Sequence, residues 1–175
     1  MKTSEAAFAA LDLFKSRWAL VTAGNTDDFN TCTVSWGSMG TLWSRPGRND
    51  AIVTVYLHPS RYTAEYMERN DLFTVSFFAP EYKEALSYLG SHSGRNENKV
   101  AAAGLTPEAF GGSVTYKEAE FSLLLRKIYA HPFAKEDMAE DVREHYRTHP
   151  GSFPPDENGD WLPHMMFIGE VLETR

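Results

Sequence analysis

Hydroxyl side chains, one tryptophan and two glycines lie close together in residues 30–40, which read NTCTVSWGSMG. Short hydroxyls and backbone N–H groups can pair with the polar edge of a flat ring, and Gly37 allows the backbone to approach it closely. Trp36 could cover the face of such a ring or form a wall beside it. The alternative is that the hydroxyls decorate one face of a strand and Trp36 belongs to the core. The hydroxyl candidates are Thr31, Thr33, Ser35 and Ser38.

A second polar segment, residues 91–99, reads SHSGRNENK and is suited to an anion. Ser91, Ser93 and Gly94 could form a turn whose N–H groups converge on a phosphate. Arg95 offers a forked donor and Lys99 a point charge, beside the positive end of a helix that we predict to begin near residue 96. An ordinary turn with solvated charges is the competing interpretation.

A third segment, HPSRYT at residues 58–63, places Ser60 and Arg61 where a predicted strand ends and a helix begins. This is a second place for a phosphate, although Ser60 could simply cap the helix beside a surface arginine. A ring site together with a phosphate site describes flavin mononucleotide (FMN). The residues therefore predict an FMN site.

Familiar catalytic patterns that use side chains alone are missing from this sequence. There is no GxSxG turn, no GxGxxG run, no Walker loop and no HExxH motif. Cys32 is the single cysteine, and its strand position is typical of a small core residue. His145 and His149 stand at helical spacing, but a solvated helix end explains them better than a metal does, so we predict no metal site. If the chain is an enzyme, a cofactor must supply the difficult chemistry.

The overall composition limits the class of protein. The 175 residues are 42% hydrophobic and 23% charged, which fits one globular domain over residues 1–175. The net charge of −7 and the lack of a Lys/Arg block argue against nucleic-acid binding. One cysteine excludes an intrachain disulfide, and no apolar run is long enough to span a membrane. We expect a cytoplasmic protein.

Many short strands with few helices between them are predicted along the chain. The expected strands are 18–23, 32–36, 51–57, 72–78, 115–116, 121–130 and 165–172, and the expected helices are 4–14, 64–69, 80–89, 96–103 and 136–146. Helices do not alternate strictly with strands, so a doubly wound parallel sheet is disfavoured. The pattern predicts a mainly β fold, an antiparallel β-barrel with peripheral α-helices.

Several element boundaries rest on single residues. Ser4 is expected to cap the first helix, whose buried face would include Phe14. Gly90 is expected to close the helix that starts at Pro80. Gly37 and Gly40 are expected to interrupt the second strand. The proline-rich segment 148–163 should lack regular structure.

Six motifs occur in an order that resembles a known family: residues 30–40, HPSRYT at 58–63, FTVSFF at 73–78, LSYLGSHSGR at 86–95, KVAAAGLTP at 99–107 and HMMFIGEV at 164–171. Together they resemble the flavin reductase-like family of FMN-binding split barrels, close to its flavoredoxin branch. The resemblance covers nearly all of the chain from about residue 18.

The resemblance implies a split barrel that binds FMN, usually as a homodimer with the flavin near the dimer interface. It places Asn30, Thr33, Val34, Ser35 and Trp36 along the ring and ribityl chain, and Phe167 close to the flavin; His131 is a weaker candidate. The candidates for the phosphate end are Ser60, Arg61, Ser91, Ser93, Gly94, Arg95 and Lys99. Segment 148–163 is longer than is usual in the family and could cover the site or reshape the dimer surface.

The expected function is that of an FMN-dependent oxidoreductase. It would pass a hydride or electrons from NAD(P)H or a reduced protein to an acceptor, and no side chain need act as a general base. One alternative is an FMN-binding electron carrier or sensor without turnover. Others are a split barrel that has lost flavin and serves in interactions, or a haem protein using His92, His131 or His164.

Overall fold

The computed structural model describes residues 12–175 of the chain. The predicted first helix, with its Ser4 cap, lies mostly outside the described residues. Within them the chain begins with a π-helical turn, Leu13–Arg17. Phe14 from this turn is buried and packs edge-on against Phe77, with 5.2 Å between ring centroids. The turn therefore anchors the start of the described chain to the core.

Nine strands form a large sheet and a separate hairpin. They are β1 (Ala19–Gly24), β2 (Phe29–Val34), β3 (Gly37–Thr41), β4 (Ala51–Leu57), β5 (Leu72–Phe78), β6 (Pro107–Phe110), β7 (Ser113–Tyr116), β8 (Ala119–Pro132) and β9 (Met165–Thr174). The seven-stranded sheet has the order β2-β1-β5-β8-β9-β4-β3, and β6 pairs with β7. Every pairing is antiparallel. The predicted mainly β architecture is confirmed.

Short helices connect the strands. They are α1 (Tyr62–Arg69), α2 (Lys83–Ser91), α3 (Lys99–Ala102) and α4 (Glu140–Thr148), with 3-10 turns at Pro80–Tyr82 and Lys135–Asp137. Within residues 12–175 no helix is long and apolar enough to cross a membrane.

The core lies on both faces of the sheet because side chains of a strand point alternately to opposite faces. On β1, Val21 joins the larger cluster with Phe73 and Phe167, which fills the inside of the curved sheet. Its neighbour Leu20 points the other way and packs with Leu86 and other side chains around α2. Burying both faces of β1 explains why all six of its residues are buried and why polar and apolar residues do not alternate along it.

The structure corrects one predicted strand boundary, near Gly37 and Gly40. We predicted that they interrupt the second strand; instead β2 ends at Val34 and a third strand runs from Gly37 to Thr41. A Cβ at Gly37 would meet the Phe14 ring at 2.5 Å, so this glycine lets the strand cross the aromatic side chain.

Helix boundaries differ from the predictions at four places. Gly90 does not close α2, because the helix continues to Ser91, whose hydroxyl donates to the Ser87 carbonyl at 2.9 Å. Ser60 caps nothing: α1 starts at Tyr62 without a side-chain cap, and the Ser60 hydroxyl pairs with His58 instead.

The third helix is shorter than predicted. The Asn98 side chain accepts from the Ala101 N–H at 3.2 Å and caps α3, which therefore begins at Lys99. The predicted helix 136–146 divides into a 3-10 turn and α4, because Met138 between them is extended. Strand β6 was not predicted from the sequence.

Candidate functional site

A cleft of about 480 Å³ opens where the end of β2 faces the end of β4 and the C-terminal end of α2. Segment 149–164 closes one side of it through Gly151, Ser152, Phe153 and His164. The other lining residues are Cys32, Thr33, Val34, Ser35, Trp36, Tyr56, Leu57, His58, Arg61, Gly90 and Ser91. We call this space the ring cleft. Its size is within the range that holds a cofactor or drug-sized molecule.

Strand β2 supplies the wall that the sequence predicted. The Thr33 hydroxyl donates to the Leu86 carbonyl at 2.5 Å, which ties β2 to α2. Val34 is buried, whereas Ser35 is exposed and free to face a ligand. Trp36 is 45% exposed and its ring lies 4.6 Å from that of His164, so it forms a wall of the ring cleft and does not belong to the core.

A smaller pocket of about 190 Å³ adjoins the ring cleft and shares Cys32, Arg61 and Ser91 with it. We call it the cation pocket. Its further lining includes Ser60, Ser93 and Lys99. Arg61 donates from Nη1 to the Gly90 carbonyl at 2.7 Å, which fixes the guanidinium between the two spaces.

Lys99 is the buried cation of this region. Its Nζ donates to the carbonyls of Leu89 and His92, each at 2.9 Å. Burial is the largest influence on the pKa of Lys99 and lowers it, and the nearby Arg61 charge lowers it further, whereas Cys32 raises it. A buried ammonium with two neutral carbonyl partners leaves its charge available to an anion.

A third pocket, of about 360 Å³, lies on the other side of Lys99 and includes Asn30 and Gly94. Asn30 is 5% exposed, and its Nδ2 group is buried without a hydrogen-bond partner. A Cβ at Gly94 would come within 2.7 Å of the Asn30 Oδ1 atom, so glycine is needed for this approach. A buried amide without a partner is costly unless a ligand pairs with it.

Other predicted site residues lie away from these spaces or are already engaged. Arg95 pairs with Glu65 and lies over the Tyr62 ring, 4.4 Å from its centroid. His131 is exposed at the end of β8, and its Nδ1 lies 2.6 Å from the Pro132 carbonyl oxygen. Phe167 is fully buried in the core and lines none of the three spaces.

Four ring side chains that the sequence did not assign to the flavin site meet at one end of the ring cleft: His58, Tyr146, Phe153 and His164. The antiparallel register pairs Leu57 of β4 with Met165 of β9, which brings His58 and His164 opposite one another. Their ring centroids are 5.3 Å apart. Each histidine directly flanks a predicted strand, and this position was the signal that could have found the pair.

Tyr146 of α4 and Phe153 of segment 149–164 complete this cluster. Tyr146 is the buried residue of α4, and its hydroxyl lies 2.6 Å from the His164 Nδ1 atom. Phe153 packs against Tyr146 with 4.7 Å between ring centroids. The proline-rich segment is therefore built into the site, where it covers one side of the ring cleft.

Both buried imidazoles are kept uncharged by their surroundings. Burial is the main cause that lowers the pKa of His164 to about 3, and repulsion from a protonated His58 and from Arg61 lowers it further. Burial likewise lowers the pKa of His58, against the opposing effect of its hydrogen bond with the Leu162 carbonyl. Neither ring supplies a positive charge to the cleft at neutral pH.

These features fit a ligand with a polar flat ring and an anionic end. The ring cleft offers aromatic walls and the hydroxyl of Ser35, and the cation pocket offers Arg61 and Lys99. The Asn30 amide lies in the third pocket, where its Nδ2 group is enclosed and has no hydrogen-bond partner among residues 12–175. Among residues 12–175 no group of three or more His, Cys, Asp or Glu side chains is placed to hold a metal ion.

A family model described as the flavin reductase-like domain matches residues 11–175. The chain belongs to this family. The match confirms the family that the six sequence motifs indicated. No curated protein sequence matches the chain.

Solved structures share the fold of this flavin reductase-like protein at low sequence identity. An FMN-binding protein from Thermus thermophilus, with bound 1-cyclohex-2-enone, is 21% identical, with 90% of this chain and 68% of that one covered and a TM-score of 0.63. Flavoredoxin of Desulfovibrio vulgaris (Miyazaki F) is 23% identical, with 100% of this chain and 76% of that one covered and a TM-score of 0.62.

A third similar structure is nitrilotriacetate monooxygenase component B from Bacillus cereus. It is 18% identical, with 99% of this chain and 77% of that one covered and a TM-score of 0.63. The predicted FMN-binding split barrel is confirmed as the fold, and FMN-binding proteins are among the proteins that share it.

Proposed function

We propose that this flavin reductase-like protein binds FMN in the ring cleft and acts as an FMN-dependent oxidoreductase. The observation that carries the proposal is the continuity of an aromatic-walled cleft with a pocket that holds Arg61 and buried Lys99. A flavin needs this pair of environments, one for its ring and one for its phosphate. A barrel without cofactor would leave the buried Lys99 charge with only the neutral carbonyls of Leu89 and His92 as hydrogen-bond partners among residues 12–175.

The residues divide into ring and phosphate contacts. Ser35 and the backbone of β2 would pair with the polar edge of the ring, with Trp36 along its face. Arg61, Lys99, Ser60, Ser91 and Ser93 would surround the phosphate, where charge-assisted hydrogen bonds are strongest. Asn30, which lines the third pocket and has an enclosed Nδ2 group, lies outside these two sets of contacts.

FMN, when bound, supplies hydride and electron transfer to and from its ring. The chain binds and orients the cofactor, and donors at the ring edge favour the negative charge that develops on reduction. Phe153 and Trp36 limit the access of water to the same cleft.

The electron donor in this proposal is NAD(P)H or a reduced protein, and the acceptor is free flavin, a metal complex or another protein. Two of the structurally similar proteins, the one with a bound enone and the flavoredoxin, support a redox role that uses an open cleft. We further propose a homodimer, since apolar side chains stay exposed at the edge of the sheet. A cytoplasmic location is proposed because the single cysteine, Cys32, is free and buried.

FMN titration of the purified protein tests the proposal. Flavin absorbance that stays with the protein through gel filtration is expected, and colourless protein that ignores added FMN would contradict it. Steady-state oxidation of NADH or NADPH then separates an oxidoreductase from an electron carrier or sensor that has no turnover of its own.

Arginine variants test where the phosphate binds. Arg61→Ala should weaken FMN binding by about tenfold or more, because a charged donor to the phosphate is lost. Arg95→Ala is the matched control and should change the affinity far less, since Arg95 is exposed and pairs with Glu65. Fluorescence quenching of FMN measures both affinities. Equal losses, or a larger loss for Arg95→Ala, would reject the cation pocket as the phosphate site.

A further inference from the structure

Hydrogen bonds fix the proton of His58 on a known nitrogen. The Ser60 backbone N–H donates to His58 Nδ1 at 3.2 Å, so Nδ1 is the unprotonated acceptor. Nε2 therefore carries the proton and donates to the Leu162 carbonyl at 3.2 Å. Both ring nitrogens of His58 are thus engaged in hydrogen bonds, and one of these bonds holds the end of segment 149–164 against β4.

His164 is held in a similar way, but by a hydroxyl. The His164 backbone N–H donates to the Tyr146 oxygen at 3.3 Å, and the Tyr146 oxygen lies 2.6 Å from Nδ1 of the same residue. If Nδ1 carried the proton, two donors would meet one oxygen and the buried Tyr146 proton would lack an acceptor within residues 12–175. Tyr146 therefore donates to Nδ1, and the imidazole proton lies on Nε2.

The Nε2–H group of His164 is left unused by the protein. It has no hydrogen-bond partner within the described part of the chain, and it is not among the fully enclosed polar atoms without a partner. The His164 ring lines the ring cleft beside Trp36. Burial raises the pKa of Tyr146, which keeps its hydroxyl protonated and able to act as the donor.

We propose that His164, positioned by Tyr146, presents its Nε2–H in the ring cleft to a carbonyl oxygen of a flat conjugated ring. This inference rests on the proposed function, because that oxygen belongs either to the flavin or to a quinone-like electron acceptor that stacks in the same cleft. The aromatic walls formed by Trp36 and Phe153 select a flat ligand, and the single uncharged donor selects an oxygen that carries partial negative charge.

Three variants separate the donor from the packing around it. His164→Phe keeps a ring and removes the donor, and His164→Gln keeps an N–H group near the position of Nε2. Tyr146→Phe removes the hydroxyl that positions His164 and keeps the aromatic ring. FMN and menadione, a flat quinone, are each titrated into the apoprotein, and menadione is also titrated into the FMN-loaded protein.

We expect His164→Phe to lose about tenfold in affinity, His164→Gln to recover most of it, and Tyr146→Phe to lose about threefold. A loss for FMN assigns the oxygen to the flavin, and a loss confined to menadione assigns it to the acceptor. If His164→Phe binds FMN and menadione as tightly as the wild type does, the inference is overturned while the proposed function stands. Wild-type protein that binds neither molecule overturns it together with the proposed function.

A long-range proton–nitrogen NMR spectrum of the histidine rings tests the arrangement without any ligand. The wild-type protein should show His164 protonated on Nε2 alone, with the signal assigned by its absence in His164→Gln. Tyr146→Phe should show a mixture of the two tautomers. A His164 ring protonated on Nδ1 in the wild-type protein would overturn the inference even if FMN binds.

Discussion

Two buried histidines show how far a side chain's behaviour depends on its partners. His58 and His164 have the same chemistry in the sequence, yet one is engaged at both nitrogens and the other keeps one N–H for the cleft. Both are desolvated, which penalises the charged form. At this scale the protein contributes positioned neutral donors near the ring and positive charge from Arg61 and Lys99 near the phosphate.

The lowered pKa of His164 predicts how stability depends on pH. The ring is neutral in the folded protein down to about pH 3, whereas in the unfolded chain it takes up a proton below its ordinary pKa of 6.5. The unfolded state therefore binds more protons between these values, so the stability that His164 contributes is complete above about pH 6.5 and is lost as the pH falls towards 3.

Urea unfolding of the wild-type protein and of His164→Gln, between about pH 7.5 and about pH 5, measures this effect. The free energy of unfolding should fall less steeply with decreasing pH in the variant, since glutamine does not titrate. His131→Gln replaces an exposed histidine and serves as the control, with the slope of the wild type expected. Identical slopes in all three proteins would contradict the neutral, buried imidazole.

At the scale of elements, the pairing of β4 with β9 builds the site. The register that joins Leu57 to Met165 sets His58 opposite His164, and the same strand pair carries Val55 and Phe167 into the core below. A close packing contact in β9 keeps this strand in place: Gly169 faces Phe73 and Leu125 with no room for a side chain. The geometry of the cleft therefore depends on a tight core beneath it.

Gly169→Ala should destabilise the protein by about 1–3 kcal/mol, because the core would be overpacked. The new Cβ would lie 2.6 Å from Cζ of Phe73 and 2.8 Å from Cβ of Leu125. Gly40→Ala on β3 is the matched control, since a Cβ there meets nothing within 4 Å. Thermal or urea unfolding measures both variants. Equal stability of the two would show that β9 can shift to accept the methyl group.

At the scale of the whole molecule, apolar side chains stay exposed around the edge strand β3. Trp43, which is 50% exposed, follows β3 and lies near Tyr129, with 6.5 Å between ring centroids. Met39 on β3 and Phe133 beyond β8 are exposed as well. An unpaired strand edge with exposed aromatic residues favours contact with another chain.

We predict a homodimer that uses this edge. Met39→Glu combined with Trp43→Glu should convert the dimer into a monomer, because two charges would be buried at the contact. It should also weaken FMN binding if the flavin lies near the interface, as the family resemblance implies. Sedimentation velocity measures the mass. Val142→Glu, which changes an exposed residue of α4, is the control. A monomeric wild-type protein would refute the prediction.

The sequence determined the features that depend on neighbouring residues. Alternation and β-branched runs located most of the strands, and the order of the motifs identified the family and the split-barrel fold. The same local patterns marked Thr33 on β2 and Ser35 and Trp36 directly after it, and the structure brings them together with Arg61 and Ser91 at one cleft. These inferences succeed because strand periodicity and turns are set by interactions over a few residues.

The tertiary structure alone decided which distant side chains meet. Tyr146 reaches His164, and the pairing of β4 with β9 brings His58 to His164, more than 100 residues away in the chain. Arg95 looked equivalent to Arg61 in the sequence, yet Arg95 pairs with Glu65 whereas Arg61 lines both spaces. Such contacts follow from strand order and register, which are selected by burial of the whole core and are not encoded in any single segment.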